Sequence, residues 1–150
     1  MSNRPYQVIP SFCSTYLVAN QLMTGSWGPI LFNIIETDGS EPVFYDSTTG
    51  LFTAPTSGWY DMEVQIQSSA ALTGVRIVRN GDTNFPPISR VPTTTNIDLK
   101  LRVLLGLGET LRVDAIGAVN VLALSGTSPN ARVSNAIFTL IKRFEDTRNF

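Results

Sequence analysis

Histidine is absent from this sequence, and cysteine occurs once, at Cys13. Without an imidazole, the His-based general base, the Ser-His and Cys-His nucleophile pairs and the His-containing zinc sites are all excluded. A single cysteine closes no intrachain disulfide, and with no His beside it the thiol reads as a small buried filler. Charge is scarce as well: charged residues make up 15% of the chain, against roughly 25% in an ordinary soluble domain. The 11 Lys and Arg nearly balance the 12 Asp and Glu, with no basic run to follow a phosphate backbone, so a nucleic-acid partner is not expected. The longest apolar stretches, Val103–Leu107 and Ala118–Leu124, are too short to span a bilayer. The opening Met1-Ser-Asn-Arg-Pro5 segment lacks an apolar h-region, so no signal peptide is expected and synthesis in a reducing cytoplasm is. No G-x-S-x-G, Walker or Rossmann fingerprint occurs, and Gly106-Leu-Gly108 reads as a turn. Neither enzymatic activity nor a cofactor is expected.

What is present is a succession of short strands. The 150 residues suit one domain. Residues 1–13, with two prolines and no period, read as an extended arm, residues 14–145 as the folded domain and residues 146–150 as a tail. Strands are expected at Tyr16–Met23, Ile30–Glu36, Val43–Tyr45, Leu51–Ala54, Trp59–Gln67, Gly74–Arg79, Asn96–Val103, Glu109–Ala115, Val119–Leu124 and Val133–Arg143, with Ser125–Asn130 a loop. Trp59–Gln67 alternates strictly, Tyr60, Met62, Val64 and Ile66 on one face and Asp61, Glu63, Gln65 and Gln67 on the other. No amphipathic helix competes. The fold class is all-β, an antiparallel sandwich of about nine or ten strands.

Two runs, Tyr16–Ala19 and Ala136–Ile141, are apolar on both faces. In a two-layer sandwich such a strand must cover something besides the core, either another subunit or a loop of the same chain. Low surface charge favours the subunit. Tyr16, Val18, Ile137, Phe138 and Ile141 are the candidate interface residues.

The segment Tyr45-Asp46, Gly50, Phe52, Pro55, Gly58 and Tyr60 places a Gly or Pro at each corner of a strand-turn-strand unit, with positive φ expected at Gly50 and Gly58. This wording resembles the "YD..TG.F..P..G.Y" core of the C1q/TNF-like superfamily of trimeric jelly rolls. Asn80-Gly81, Asp98–Val103, Gly108-Glu109 and Ser134–Leu140 are similar to further parts of that pattern. The sequence departs from it in having Ala54 near the place of the family's core cysteine and no Gly-X-Y stalk. The resemblance implies a jelly roll and a homotrimer.

Four carboxylates, Glu36, Asp38, Glu41 and Asp46, fall within one short stretch; they are the weak metal candidates, with a solvated acidic loop as the other reading. Asp61 and Glu63 share a strand face, either as paired carboxylates or as a plain solvent face. Trp27 reads equally as an exposed contact anchor or as a residue packed under its loop. Arg76, Arg79 and Arg90 either line an anion-binding surface or are scattered solvating charges. The function expected is structural and non-enzymatic: a virion protein decorating a bacteriophage capsid, whose arm residues Arg4, Tyr6, Val8, Ile9 and Phe12 dock on capsid or other virion proteins. The alternative is a receptor- or glycan-binding head.

Overall fold

The computed structural model describes residues 12–37, 44–83, 89–90, 95–125 and 128–143. The chain begins with β1 (Phe12–Tyr16), β2 (Gln21–Leu22), β3 (Gly28–Pro29), β4 (Ile34–Thr37) and β5 (Tyr45–Asp46). It continues through β6 (Leu51–Thr53), β7 (Gly58–Gln67), β8 (Gly74–Arg79), β9 (Ser89–Arg90) and β10 (Asn96–Leu105). It closes with β11 (Thr110–Ile116), β12 (Asn120–Val121), β13 (Leu124–Ser125), β14 (Ser128–Arg132) and β15 (Asn135–Arg143). A front sheet has the order β10-β7-β15-β1-β4. A back sheet has the order β5-β6-β11-β8-β9, with β3 also on β11. Every pairing is antiparallel. The result is an all-β jelly roll whose core lies between the two sheets.

Alternation decides which side chains enter that core. Tyr60, Met62, Val64 and Ile66 of β7 are buried, as are Ile97, Leu99 and Val103 of β10. From the back sheet Val75 and Ile77 face Leu111, Val113 and Ala115 across the β8–β11 pairing, all of them buried. The motif residues form the clamp between the layers. Phe52 stacks on Phe138 at 4.3 Å between ring centroids and meets Tyr60 edge-on at 5.8 Å, while Tyr45 lies 6.2 Å from Phe138. The polar tips are satisfied: the Phe32 amide donates to the Tyr45 hydroxyl at 3.1 Å, and the Tyr60 hydroxyl donates to the Thr56 carbonyl at 2.6 Å.

The two glycines of the motif act differently from each other. Gly50 has φ +74°, as the turn predicts, and a Cβ there would also crowd the Ile30 carbonyl at 3.1 Å. Gly58 is not in the positive-φ region; it opens β7, and a Cβ would run into the Lys142 carbonyl of β15. Close approach of two backbones requires it. Pro55 lies in the corner between β6 and β7, and the Asn80-Gly81 hairpin has positive φ at both residues, 51° and 79°.

Several boundaries differ from the sequence reading. β1 starts at Phe12, so Phe12 and Cys13 belong to the sandwich rather than to an arm ending at residue 13. Tyr16–Met23 is not one strand: the chain turns a corner after Tyr16, and Val18 is 62% exposed. Side-chain amides cause this by taking backbone donors out of a ladder. Asn33 Oδ1 accepts from the Val18 amide, and Asn20 Oδ1 accepts from the Ala123 amide. Gln21 likewise bridges the Leu31 amide and the Pro29 carbonyl, so the expected strand Ile30–Glu36 shrinks to β4. The expected loop Ser125–Asn130 contains parts of the β13–β14 pair instead.

Candidate interaction surfaces

The outward face of the front sheet carries the residues that alternate with the core. Three cross-strand pairs on β7 and β10 lie on it: Trp59 with Leu104, Asp61 with Arg102, and Glu63 with Lys100. Arg102 Nε and Nη2 donate to the two Asp61 oxygens at 2.8 and 3.2 Å, and Lys100 Nζ lies 3.5 Å from Glu63. The Arg102 guanidinium holds the Asp61 carboxyl below its ordinary value. Shallow depressions of about 210 and 340 Å³ run along these pairs, the second reaching Asn135 and Ile137. At the end where β1 enters and β15 leaves, called the base, the face turns apolar. Phe12 (37% exposed), Trp59 (38%) and Leu104 (37%) are outward there, and Ile141 (46%) sits at the bulge of β15.

Not all the predicted interface residues share this face. Tyr16 is outward beside Asn135, nearly covered, and donates its hydroxyl to Glu36 at 2.9 Å. Ile137 is outward and half-buried at the centre of the sheet. Phe138 points the other way, into the core against Phe52, because it alternates with Ile137. Val18 lies at the far end of the sandwich, in the corner after β1, with exposed Leu22 and Leu124 in that same end of the fold. Arg4, Tyr6, Val8 and Ile9 lie outside the described residues, as do Asp38 and Glu41.

Of the remaining metal candidates, Glu36 is on β4 of the front sheet and Asp46 on β5 of the back sheet. Asp46 is committed to its own turn, accepting from the Thr48 amide at 2.8 Å and the Thr48 hydroxyl at 2.6 Å, which hold its carboxyl low. Among the described residues no group of three or more His, Cys, Asp or Glu is placed to hold a metal ion.

The outward face of the back sheet holds a compact charge cluster that composition alone did not reveal. Asp114 of β11 is 1% exposed yet polar, flanked by Arg112 two residues before it and by Arg76 directly across on β8. Arg112 is bidentate, its Nε 2.7 Å from Oδ1 and its Nη2 3.0 Å from Oδ2. Arg76 places Nε and Nη2 at 3.2 and 3.1 Å from the same Oδ2. The indole of Trp27 lies over the Arg76 guanidinium at 4.1 Å. The signal in the sequence was the Arg-x-Asp spacing at 112–114, which puts both charges on one strand face. Arg79 stands apart at the base, where it and Asn80 hold Glu109; that carboxyl, also bonded by the Gly106 amide, is held below its ordinary value.

These sheets define an all-β jelly roll. No protein-family model and no curated protein matches the sequence. Solved structures do match the fold. The globular domain of zebrafish complement 1qA is 18% identical, with a TM-score of 0.57 over 91% of this chain and 100% of that one. Eiger TNF from S. frugiperda is 15% identical, with a TM-score of 0.59 over 93% of this chain and 98% of that one. Murine APRIL is 11% identical, with a TM-score of 0.57 over 87% of this chain and 98% of that one. The fold is therefore a C1q/TNF-like jelly roll.

Proposed function

We propose that this chain is a non-enzymatic interaction protein acting as a homotrimeric jelly-roll head, its subunits meeting through the outward face of the front sheet. The apolar base of that face carries the reading: Trp59, Leu104, Phe12 and Ile141 remain partly exposed beside the half-buried Ile137. A sheet face of this kind is stabilised by burial against a copy of itself. The charge pairs Asp61–Arg102 and Glu63–Lys100 border it and set register rather than affinity. Replacing Leu104 with Asp should lower the native mass to that of one chain while the far-ultraviolet circular dichroism stays that of a β protein. An unchanged mass would refute the assigned face.

Within this class, the role we assign is capsid decoration on a virion, with capsid proteins as the partners. Phe12 opens β1 at the apolar base of the assigned interface, and Arg4, Tyr6, Val8 and Ile9, which precede it in the sequence, are the docking residues of this reading. Three copies delivered together would dock with avidity. Cosedimentation with purified capsids, lost on deleting residues 2–11, is the expected result; binding that survives the deletion would refute the arm's role. The receptor- or glycan-binding head is the second reading, favoured by the Trp27–Arg76 pair on the opposite face.

A further inference from the structure

We infer that Arg76, Arg112 and Trp27 form a binding site for an acidic saccharide, a sugar bearing a carboxylate or sulfate, on the outward face of the back sheet. This gives the second reading above its chemistry and rests on it, but does not require the trimer.

One carboxylate, Asp114, accepts four hydrogen bonds from two guanidiniums and is itself fully buried. Its capacity is used, yet two positive charges face one negative charge. The side chains of Arg76 and Arg112 are 19% and 27% exposed, so the surplus positive charge is held in a partly buried position that still opens to solvent. Both guanidiniums use Nε and Nη2 on Asp114, and among the described residues neither Nη1 has a hydrogen-bond partner. A further oxyanion would meet donors already fixed in place. Asp114 thus acts as a positioning residue that locks two forks, and fixed forks are the arrangement that favours carboxylate and sulfate over a diffuse cation's partners.

Trp27 supplies the second half. It holds one guanidinium by cation–π contact and still exposes 37% of its surface, in a Gly-flanked loop beside β3. An exposed indole edging an anion site offers an amphipathic ring surface for the body of a sugar. A bare inorganic anion would use the arginines and leave this surface unused.

The test is a titration of the intact chain followed by nuclear magnetic resonance, reading the Trp27 indole N–H signal, which is identified by its loss in Trp27→Phe. The probes are 3′-sialyllactose, sulfated lactose, lactose and sodium sulfate at low ionic strength. The acidic sugars should shift the signal saturably and lactose should not. Arg112→Gln, which leaves Asp114 paired with Arg76, should weaken binding about tenfold or more, and Arg112→Lys should recover part of it. If Arg112→Gln does not fold, Trp27→Ala on the exposed loop replaces it, with binding read by isothermal titration calorimetry in place of the lost indole signal, and it should weaken the sugars while sparing sulfate. No response to the acidic sugars, equal affinity for lactose, or sulfate binding as tightly as sulfated lactose would each overturn the site. Acidic-sugar binding indifferent to Arg112→Gln would overturn the site while leaving the head reading intact.

Discussion

Phe138 and Ile137 are adjacent on one strand but face opposite ways, and their substitutions separate the core from the proposed assembly surface. Phe138 is 2% exposed, stacked on Phe52 at 4.3 Å and within 6.2 Å of Tyr45. Truncation to Ala removes a ring that joins β15 to β6 and leaves a cavity between rigid neighbours. A buried Phe→Ala change of this kind costs about 3–5 kcal/mol. For a chain of this size each kcal/mol moves the melting temperature by about 2–4 °C, so Phe138→Ala should melt roughly 6–20 °C lower. Ile137 is half-buried on the outward face, and within a single subunit its truncation should cost about 1 kcal/mol. The assay is thermal unfolding by circular dichroism at several protein concentrations. The Phe138→Ala deficit should persist at all of them. The Ile137→Ala deficit should grow where the wild type is assembled, because assembly links stability to concentration. Equal, concentration-independent losses for the two variants would refute the assignment of the faces.

Other consequences follow from single residues. Gly58→Ala should destabilise by about 1–3 kcal/mol, measured in urea, because its Cβ meets the Lys142 carbonyl; Gly81→Ala, strained only by its φ of +79° with open space around it, should cost about 1 kcal/mol. Burial pushes the Cys13 thiol up to about 11, so a thiol reagent at neutral pH should label it only after denaturation; rapid labelling of the native protein would contradict its place in the core. Asp61 and Glu109 are held below their ordinary values. The stability they contribute is therefore present above the unfolded carboxylate range and lost as pH falls through the lowered native values. Denaturation midpoints should hold steady near neutrality and fall in acid, and Glu109→Gln should flatten that acid limb; an unchanged limb would refute Glu109's part.

Legibility followed periodicity. β7 and β10 carry a period of two over their whole length, so their faces could be read directly, and β8 ran between a Gly and an Asn-Gly turn that marked both ends. Apolar content makes Tyr16–Ala19 read as strand, whereas Asn20, Gln21 and Asn33 draw backbone groups into side-chain bonds that no local pattern announces. Because β15 is apolar on both sides, its sequence alone does not say which way Phe138 points; register with Met62, a long-range pairing, turns it into the core. Gly58 invites a positive-φ reading from its place in the turn, but its constraint is the close approach of β15, far along the chain. The Arg76–Asp114–Arg112 cluster is half legible in the sequence: Arg76 stands out as a candidate, but the buried carboxylate that organises it depends on the β8–β11 register.

The central claim is that the front sheet's outward face joins three copies of this chain, and its most direct test is the native mass by light scattering at low micromolar concentration. The expected mass is three times the 16.4 kDa of one chain, falling to that of a single chain in Leu104→Asp. A wild-type protein that runs as a monomer would contradict it and leave Trp59 and Leu104 as simply exposed residues.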